Sequence, residues 1–464
     1  MDADEFELVR TLMENNKGLR VIAVGDDDQN IYAFRGSDAR YLDALRKLPD
    51  ARTYELLENY RSDQHIVALA NAFAGRIRTR LKTKPIRPVR EDEGETVLRR
   101  YTAAAGGLEV PAAEYVRDSW LQGAGTAETR CVLTATNEEA ALIAGLLNRM
   151  GVPVRLAQSN EGFDLYHLAE MRHFLRLLDA EIAAADSRGE QAAEDREKAS
   201  QAGGPEQVRT AAIPESIWRK AAEGLRKNYR GSAALPLCLR MIETFEKVNP
   251  VRFRSDWVEF LHESKLEDFA ETAGGTVTVS TMHGAKGREF DRVDLVLHRY
   301  DFSEDEKKRT VYVAMTRAKH RLTIHTDSGF FDAFAPLMTE TERVTKPYGE
   351  PDQMRIPLTH RDVDLSFFKR RQEQTLSLRA GQRLRAEGNL LRTEDGRTAL
   401  RFSRAFSSRL ERLRQKGYTI TEAGIRFVAA WKGKDEPKEV PIALPEIELQ
   451  LSIDKQAAAD KMKS

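Results

Sequence analysis

The chain has 464 residues, 41% of them apolar, which is room for about three domains of ordinary size. Lysine plus arginine and aspartate plus glutamate number 73 each, so net charge excludes a globally basic nucleic-acid binder and leaves that role to local clusters. Two cysteines without a CxxC spacing exclude a disulfide framework and a zinc cluster; no apolar run approaches the ~18 residues of a membrane span, and Met1 Asp2 Ala3 Asp4 Glu5 is unlike a signal peptide, so a soluble, cytoplasmic protein is expected.

Residues 5 to 16 predict an amphipathic helix, and Gly18 followed by Leu19 Arg20 Val21 Ile22 Ala23 Val24 predicts a helix stop leading into a buried strand. The acidic run from Gly25 would then sit at that strand's C-terminal end, where open α/β sheets carry ligand loops. Cys131 to Thr134 reads as a strand, Thr136 and Glu139 as a capping box, Gly151 as a stop and Val154 to Leu156 as a second strand; this order implies a parallel crossover.

From about 180 to 210 the chain is rich in Ala, Glu, Gln, Asp and Ser, which predicts a solvated, partly disordered insert. Residues 213 to 270 return to helical periodicity, with Trp218, Leu225, Leu237, Ile242, Phe245 and Trp257 as candidate core. Core strands are expected again near 276–280, 293–297 and 322–324. Residues 355 to 450 predict a separate, smaller module of short strands, a turn at Glu394 Asp395 Gly396 and a basic helix near 404–416.

Four runs carry chemistry. The first is Gly25 Asp26 Asp27 Asp28 Gln29 Asn30 Ile31 Tyr32 Ala33 Phe34 Arg35 Gly36, and the second is Glu58 Asn59 Tyr60 Arg61 Ser62. The third is Val279 Ser280 Thr281 Met282 His283 Gly284 Ala285 Lys286 Gly287 Arg288 Glu289 Phe290, and the fourth is Val311 Tyr312 Val313 Ala314 Met315 Thr316 Arg317 Ala318 Lys319. A neutral amide such as that of Gln29 can meet a phosphate without quenching charge, an aromatic face stacks on any base, and glycines at 284 and 287 permit close backbone approach.

In this order the runs resemble motifs III, IV, V and VI of superfamily 1 DNA helicases of the UvrD, Rep and PcrA type. Leu133 to Asn137 and Gln158 to Phe163 resemble subsidiary motifs of the same family. The resemblance implies an ATP-dependent 3′–5′ helicase or translocase acting in DNA repair or recombination. It implies catalytic roles for Gln29, Arg61 and Arg317, ATP contacts at Gln29, Arg61, Gly287, Glu289 and Arg317, and contacts to single-stranded DNA at Tyr32, Phe34, Arg35, His283 and Lys286. The family usually has Trp where Phe34 stands. No metal ligand is assigned.

The fold it implies is α/β: a RecA-like parallel sheet forming the second motor lobe, with a helical insertion and a small β-rich C-terminal module. The corresponding divisions are 1–53 (end of lobe 1A), 54–180 and 271–330 (lobe 2A), 181–270 (charged insert and an abbreviated 2B-like segment) and 350–452 (accessory module). Runs at 355–363 and 400–403 with Gly417 Tyr418 extend the likeness to the UvrD-like half of long bacterial RecQ-family helicases.

The sequence contains no GxxxxGK[ST] and no DExx box that would hold magnesium; Asp2 Ala3 Asp4 Glu5 Phe6 Glu7 Leu8 resembles the stretch immediately after that box in the family. ATP and Mg²⁺ are therefore expected to be held mainly by a missing N-terminal ATPase half, or a complementing chain, and the chain alone is expected to hydrolyse no ATP. A non-catalytic DNA-binding or regulatory protein derived from a helicase is the alternative. Arg76, Arg78, Arg80, Lys82, Lys84, Arg87 and Arg90, free of intervening acids, are expected either to track a phosphate backbone or to be a solvated face. Arg401, Arg404, Arg409, Arg412, Arg414 and Lys416, interleaved with Phe402 and Phe406, are expected either to bind nucleic acid or to form a stabilising helix on a small barrel.

Overall fold

The computed structural model describes residues 1–16, 18–33, 36–82, 84–103, 106–123, 127–157, 164–197, 212–269, 275–433 and 438–452. Phe34, Arg35, the run 158–163 and much of the charged insert (198–211) lie outside the described residues. The chain divides into two units, one built from Met1–Gln158 and Thr272–Pro351, the other from Ser159–Glu271 and Asp352–Met462.

The first unit holds a two-stranded parallel ribbon, β1 (Glu58–Asn59) with β2 (Arg87–Pro88), and a seven-stranded sheet. The sheet comprises β3 (Glu95–Tyr101), β4 (Arg130–Thr134), β5 (Val154–Ala157), β6 (Val277–Thr281), β7 (Phe290–Leu297), β8 (Ala318–Thr326) and β9 (Glu340–Val344). Their order is β5-β6-β4-β7-β8-β3-β9, and every neighbouring pair is parallel. β4 and β6 are buried at every position. Both faces of these strands are therefore covered, and the Thr278 and Ser280 side chains that alternate with valine in β6 are buried as well.

The helix Asn137–Arg149 between β4 and β5 starts with the expected capping box of Thr136 and Glu139 and is followed by Gly151 at φ +80°. β6, arriving from far along the chain, lies between β4 and β5, so the crossover is parallel but its strands are not adjacent.

The expected strand at 19–24 is not formed. Residues 19–24 have no regular structure, and Ile22 and Val24 are about nine-tenths exposed. Among the described residues no strand pairs with them, and an apolar run becomes a buried strand only when a sheet supplies ladder partners and a covering layer. Helix Ala3–Asn15 forms, capped by Asp2, yet contributes no buried residue.

The second unit has a six-stranded antiparallel sheet of β10 (Gln353–Pro357), β11 (Arg383–Glu387), β12 (Leu390–Thr393), β13 (Thr398–Arg401), β14 (Tyr418–Trp431) and β15 (Val440–Leu451). Its order is β10-β15-β14-β11-β12-β13. β14 and β15 are long, with 14 and 12 residues, where short strands were expected. Register shifts between Ile420 and Glu422 and between Ile425 and Phe427 break the alternation of β14, which hides its length from a period-two reading.

Helices Ala169–Glu197, Glu215–Asn228, Leu235–Val248 and Arg254–Glu263 belong to this same unit. Trp218, Trp257, Phe174 and Phe245 form a buried aromatic cluster, with ring centroids 5.0–5.7 Å apart. One core runs from this cluster through Leu168 and Tyr229 to Tyr418, Ala429 and Ile447, so the helical segment and the C-terminal sheet are one packed body rather than two modules.

Among the described residues, no helix is long and apolar enough to cross a membrane.

Candidate functional site

Three of the four motif runs are brought together in the first unit by its parallel sheet. β7 and β8 are neighbours that begin side by side, Phe290 opposite Ala318, with the Phe290 amide donating to the Arg317 carbonyl at 2.9 Å. Glu289 and Arg317 each precede one of these strands and therefore emerge at the same sheet edge. Arg61 reaches that edge from the loop after β1, where the Asn59 side chain accepts from the amides of Arg61 and Ser62 at 3.0 and 2.8 Å. The Ser62 hydroxyl donates to the Ala318 carbonyl at 2.6 Å, tying the loop to β8.

Arg61 Nε donates to Glu289 Oε2 at 2.8 Å, and its Nη1 to the Thr316 carbonyl at 3.2 Å. Lys319 faces the other Glu289 oxygen at 2.8 Å. Hydrogen bonds from Lys319 and then Arg61 hold the Glu289 carboxyl down to about 2.

Arg317 is 2% exposed and points inward. Its guanidinium donates to the carbonyls of Val313 and Arg288 at 2.8 and 3.1 Å and to the Thr316 hydroxyl at 3.1 Å. Burial first, and the like charge of Arg61 second, bring its pKa down to about 10. Both arginines therefore stand beside each other, each already engaged by the protein.

The acidic run forms a short 3₁₀ turn, Asp27–Gln29. The Asp26 side chain caps it by accepting from the Asp28 amide at 3.1 Å, and also accepts from the Gln29 side-chain amide at 2.9 Å. Lys286, from the loop after β6, donates to the Gln29 carbonyl at 3.0 Å and lies 4.5 Å over the Tyr32 ring. Burial, followed by repulsion from Arg317, lowers the Lys286 pKa. His283 is also lowered, chiefly by burial. Gly287 has φ +87° with open space beyond its α-carbon, so glycine is needed there for its backbone and not for lack of room.

Thus Gln29, Tyr32, His283, Lys286, Gly287, Glu289, Arg61 and Arg317 all fall in one unit. Lys286 links the first run to the third, Glu289 links the third to the second, and the Thr316 carbonyl links the second to the fourth. Phe34 and Arg35 lie outside the described residues.

Sequence reasoning missed the partners of this site. Lys319 was read only as part of a run, and Asp26, Asp27 and Asp28 only as an acidic turn. Their oxygens lie within 4.8 Å of one another, as a cation site would require. Arg80 and Lys82 already face that cluster, however, with Arg80 bidentate on Asp28 at 2.8 and 2.6 Å and Lys82 2.6 Å from Asp26. The Leu81 amide donates to Asp27 at 2.5 Å. These carboxylates do not fit the role of ligands to the Mg²⁺ of a nucleotide.

The basic run is not one free stripe. Arg80 and Lys82 serve the acidic turn, Arg90 pairs with the buried Asp63 at 2.6 Å, Lys84 lies 3.5 Å from Glu55 and Arg76 covers the Phe334 ring. In the second unit, helix Arg404–Lys416 buries Phe406 and Leu410, while Arg414 donates to the Gly388 carbonyl at 3.1 Å.

Residues 54–188 and 223–329, more than half of the chain, match the UvrD-like helicase C-terminal domain family, and residues 2–50 match the UvrD/REP helicase N-terminal domain family. The chain is 30% identical over 194 residues to the ATP-dependent DNA helicase UvrD1 of Mycobacterium tuberculosis (strain CDC 1551 / Oshkosh), covering 38% of this chain and 23% of that protein. It is 25% identical over 319 residues to UvrD2 of the same strain (65% and 42% covered) and 23% identical over 384 residues to DNA helicase II of Haemophilus influenzae (66% and 51%). The chain thus spans between about a quarter and a half of the length of these relatives. A solved structure described as the C-terminal domain of a possible DNA helicase from Lactobacillus plantarum aligns with 58% of this chain and 87% of its own, at 12% identity and a TM-score of 0.25, too low to bear on the fold. On the strength of the C-terminal domain match, this chain belongs to the UvrD-like DNA helicase family.

Proposed function

We propose that this chain supplies the γ-phosphate-reading and DNA-contacting side of an ATP-dependent 3′–5′ DNA helicase or translocase working in repair or recombination. In this reading the first unit's parallel sheet is the second RecA-like motor lobe. ATP and Mg²⁺ are held mainly by a half that carries the phosphate-cradling loop and the metal carboxylates, present elsewhere in a longer protein or on a complementing chain. The observation that carries the proposal is the pairing of Arg61 with Glu289 beside the buried Arg317, two guanidinium groups brought to one sheet edge from runs more than 250 residues apart. Two arginines meeting a polyphosphate from the opposite lobe would stabilise charge on the transferring group and convert its loss into movement of the lobe.

Gln29 would face the terminal phosphate, with Glu289 and the Gly287 turn near the nucleotide; Tyr32, Phe34, Arg35, His283 and Lys286 would face single-stranded DNA. The Lys286 bridge from the Gln29 carbonyl to the Tyr32 ring offers a short path between the two. The exposed apolar run at 19–24, together with Tyr54 and Leu56 at about four-fifths exposed, suits a surface covered by a phosphate-binding half. A closer kinship to the UvrD-like half of RecQ-family helicases rests on the runs at 355–363 and 400–403 with Gly417 Tyr418 alone.

The test is DNA-stimulated ATP hydrolysis, measured for the chain alone and joined to a polypeptide bearing GxxxxGK[ST] and DExx motifs. Turnover is expected only when joined. Helicase-like turnover by the chain alone overturns the division of labour, and DNA binding with no turnover in either form favours a non-catalytic DNA-binding protein.

A further inference from the structure

Residues 80 to 82 meet residues 26 to 28 in reverse order. The Arg80 guanidinium holds Asp28 through two hydrogen bonds, the Leu81 amide holds Asp27, and the Lys82 ammonium holds Asp26. Asp28 is wholly buried, and the Lys82 and Arg80 side chains are only 18% and 23% exposed. From this we infer that Arg80 and Lys82 are positioning residues that fix the side-chain amide of Gln29, and are not contacts to a nucleic-acid backbone. The inference rests on the reading of Gln29 as the group that meets the terminal phosphate.

Three carboxylates with oxygens within 4.8 Å of one another repel, and a 3₁₀ turn of three residues has little of its own to resist them. Two cations bring the turn close to neutrality. The order of contacts carries this to Gln29: Lys82 Nζ faces Asp26 Oδ1 at 2.6 Å, and Asp26 Oδ2 accepts from Gln29 Nε2 at 2.9 Å. Lys82 also lies 3.4 Å from Asp28, so it bridges both ends of the cluster. Although burial acts to lower its pKa, the charge of Asp26 and the hydrogen bond to it outweigh that and leave it raised. Lys82 therefore stays a cation at neutral pH.

A side chain whose charge is spent on buried carboxylates has none to exchange for the counterions of a phosphate backbone. The two roles are thus separable by experiment. The full chain is labelled with ¹⁵N-glutamine, and the Gln29 side-chain amide signal is identified by its loss in Gln29→Glu. Lys82→Gln is expected to move or broaden that signal while the other glutamine amides keep their positions, and Lys82→Arg to restore it. An unchanged Gln29 amide in folded Lys82→Gln overturns the inference. Because Arg80→Gln strands a buried carboxylate and threatens folding, the paired change Asp28→Asn with Arg80→Gln serves at that position.

Binding to an oligo-dT strand is then measured against salt. The log–log slope for Lys82→Gln is expected to equal that of the wild type, and a slope reduced by about 0.7 overturns the inference by revealing a phosphate contact. If the wild-type chain binds no oligo-dT, the proposed DNA role falls and the amide signal still decides the clamp. Full turnover by Gln29→Ala in the joined motor would sink the phosphate reading while leaving the clamp standing.

Discussion

Arg61 and Glu289, 228 residues apart in sequence, meet at 2.8 Å, and the same carboxylate holds Lys319. Arg61 is thus aimed by a counter-charge that a polyphosphate would have to outcompete. In the joined motor, Arg61→Ala is expected to lower DNA-stimulated turnover by roughly 10³ or more, the usual effect of losing an arginine that stabilises phosphoryl transfer. In the chain alone the same change should leave the thermal midpoint nearly unaltered, because the pair is partly exposed. A large fall in that midpoint would make Arg61 structural.

Arg317 predicts the opposite balance. Its substitution by alanine takes one donor from the Val313 carbonyl, which keeps the Thr316 hydroxyl at 3.0 Å, and one from the Arg288 carbonyl, at a combined cost of about 1–3 kcal/mol. Urea titration of Arg317→Ala is expected to show a clear loss of stability, so its effect on turnover must be read only on protein shown to be folded. Unaltered stability would mean that the guanidinium swings outward readily.

His167 gives the second unit a pH dependence with a definite sign. Its Nδ1 pairs with Asp164 at 2.5 Å, its Nε2 faces Glu439 at 3.4 Å, and the Asp164 hydrogen bond raises its pKa above the ordinary 6.5. The stabilisation is full below pH 6.5 and is lost as pH rises through the raised value. The unit's melting midpoint should therefore fall as pH is taken upward from 6.5, and His167→Gln should flatten that fall. An unchanged slope in the variant would remove His167 as its cause. Asp164 is lowered, and its hydrogen bonds to His167 and His262 outweigh burial, which acts to raise it. Its contribution is lost only under acid conditions.

Trp257→Ala is expected to cost about 3–5 kcal/mol, since the indole is fully buried among Phe174, Trp218 and Phe245. Near-ultraviolet circular dichroism should lose the aromatic signal of the second unit. A cost below 1 kcal/mol would mean that the cluster collapses to fill the gap.

The parts of the fold legible in the sequence are those where local pattern and tertiary setting agree. β4 and β6 were visible from their β-branched and small residues, and helix Asn137–Arg149 because Thr136 and Glu139 close its first turn. The run at 19–24 carries the same apolar signal, but a strand is a property of its neighbours, and none pairs with it among the described residues. The single core shared by the helices and the antiparallel sheet was hidden because nothing local in Trp218 or Tyr418 states which element will cover it. In the site, the motif residues were legible as types at set spacings. Their partners were not, because Arg80 and Asp28 are 52 residues apart and a basic run looks the same whether it faces solvent or buried carboxylates.

The sheet-edge site also sets a clock on synthesis. Arg61 leaves the ribosome 228 residues before Glu289, which at about 5–20 residues per second is a wait of roughly ten to forty-five seconds. During it β4 lacks both its neighbours, since β6 and β7 come from the later segment. The chain must keep a strand that ends up fully buried unpaired while the whole of the second unit's helical segment is made, so its yield in a cell should depend on how well nascent chains are shielded from one another.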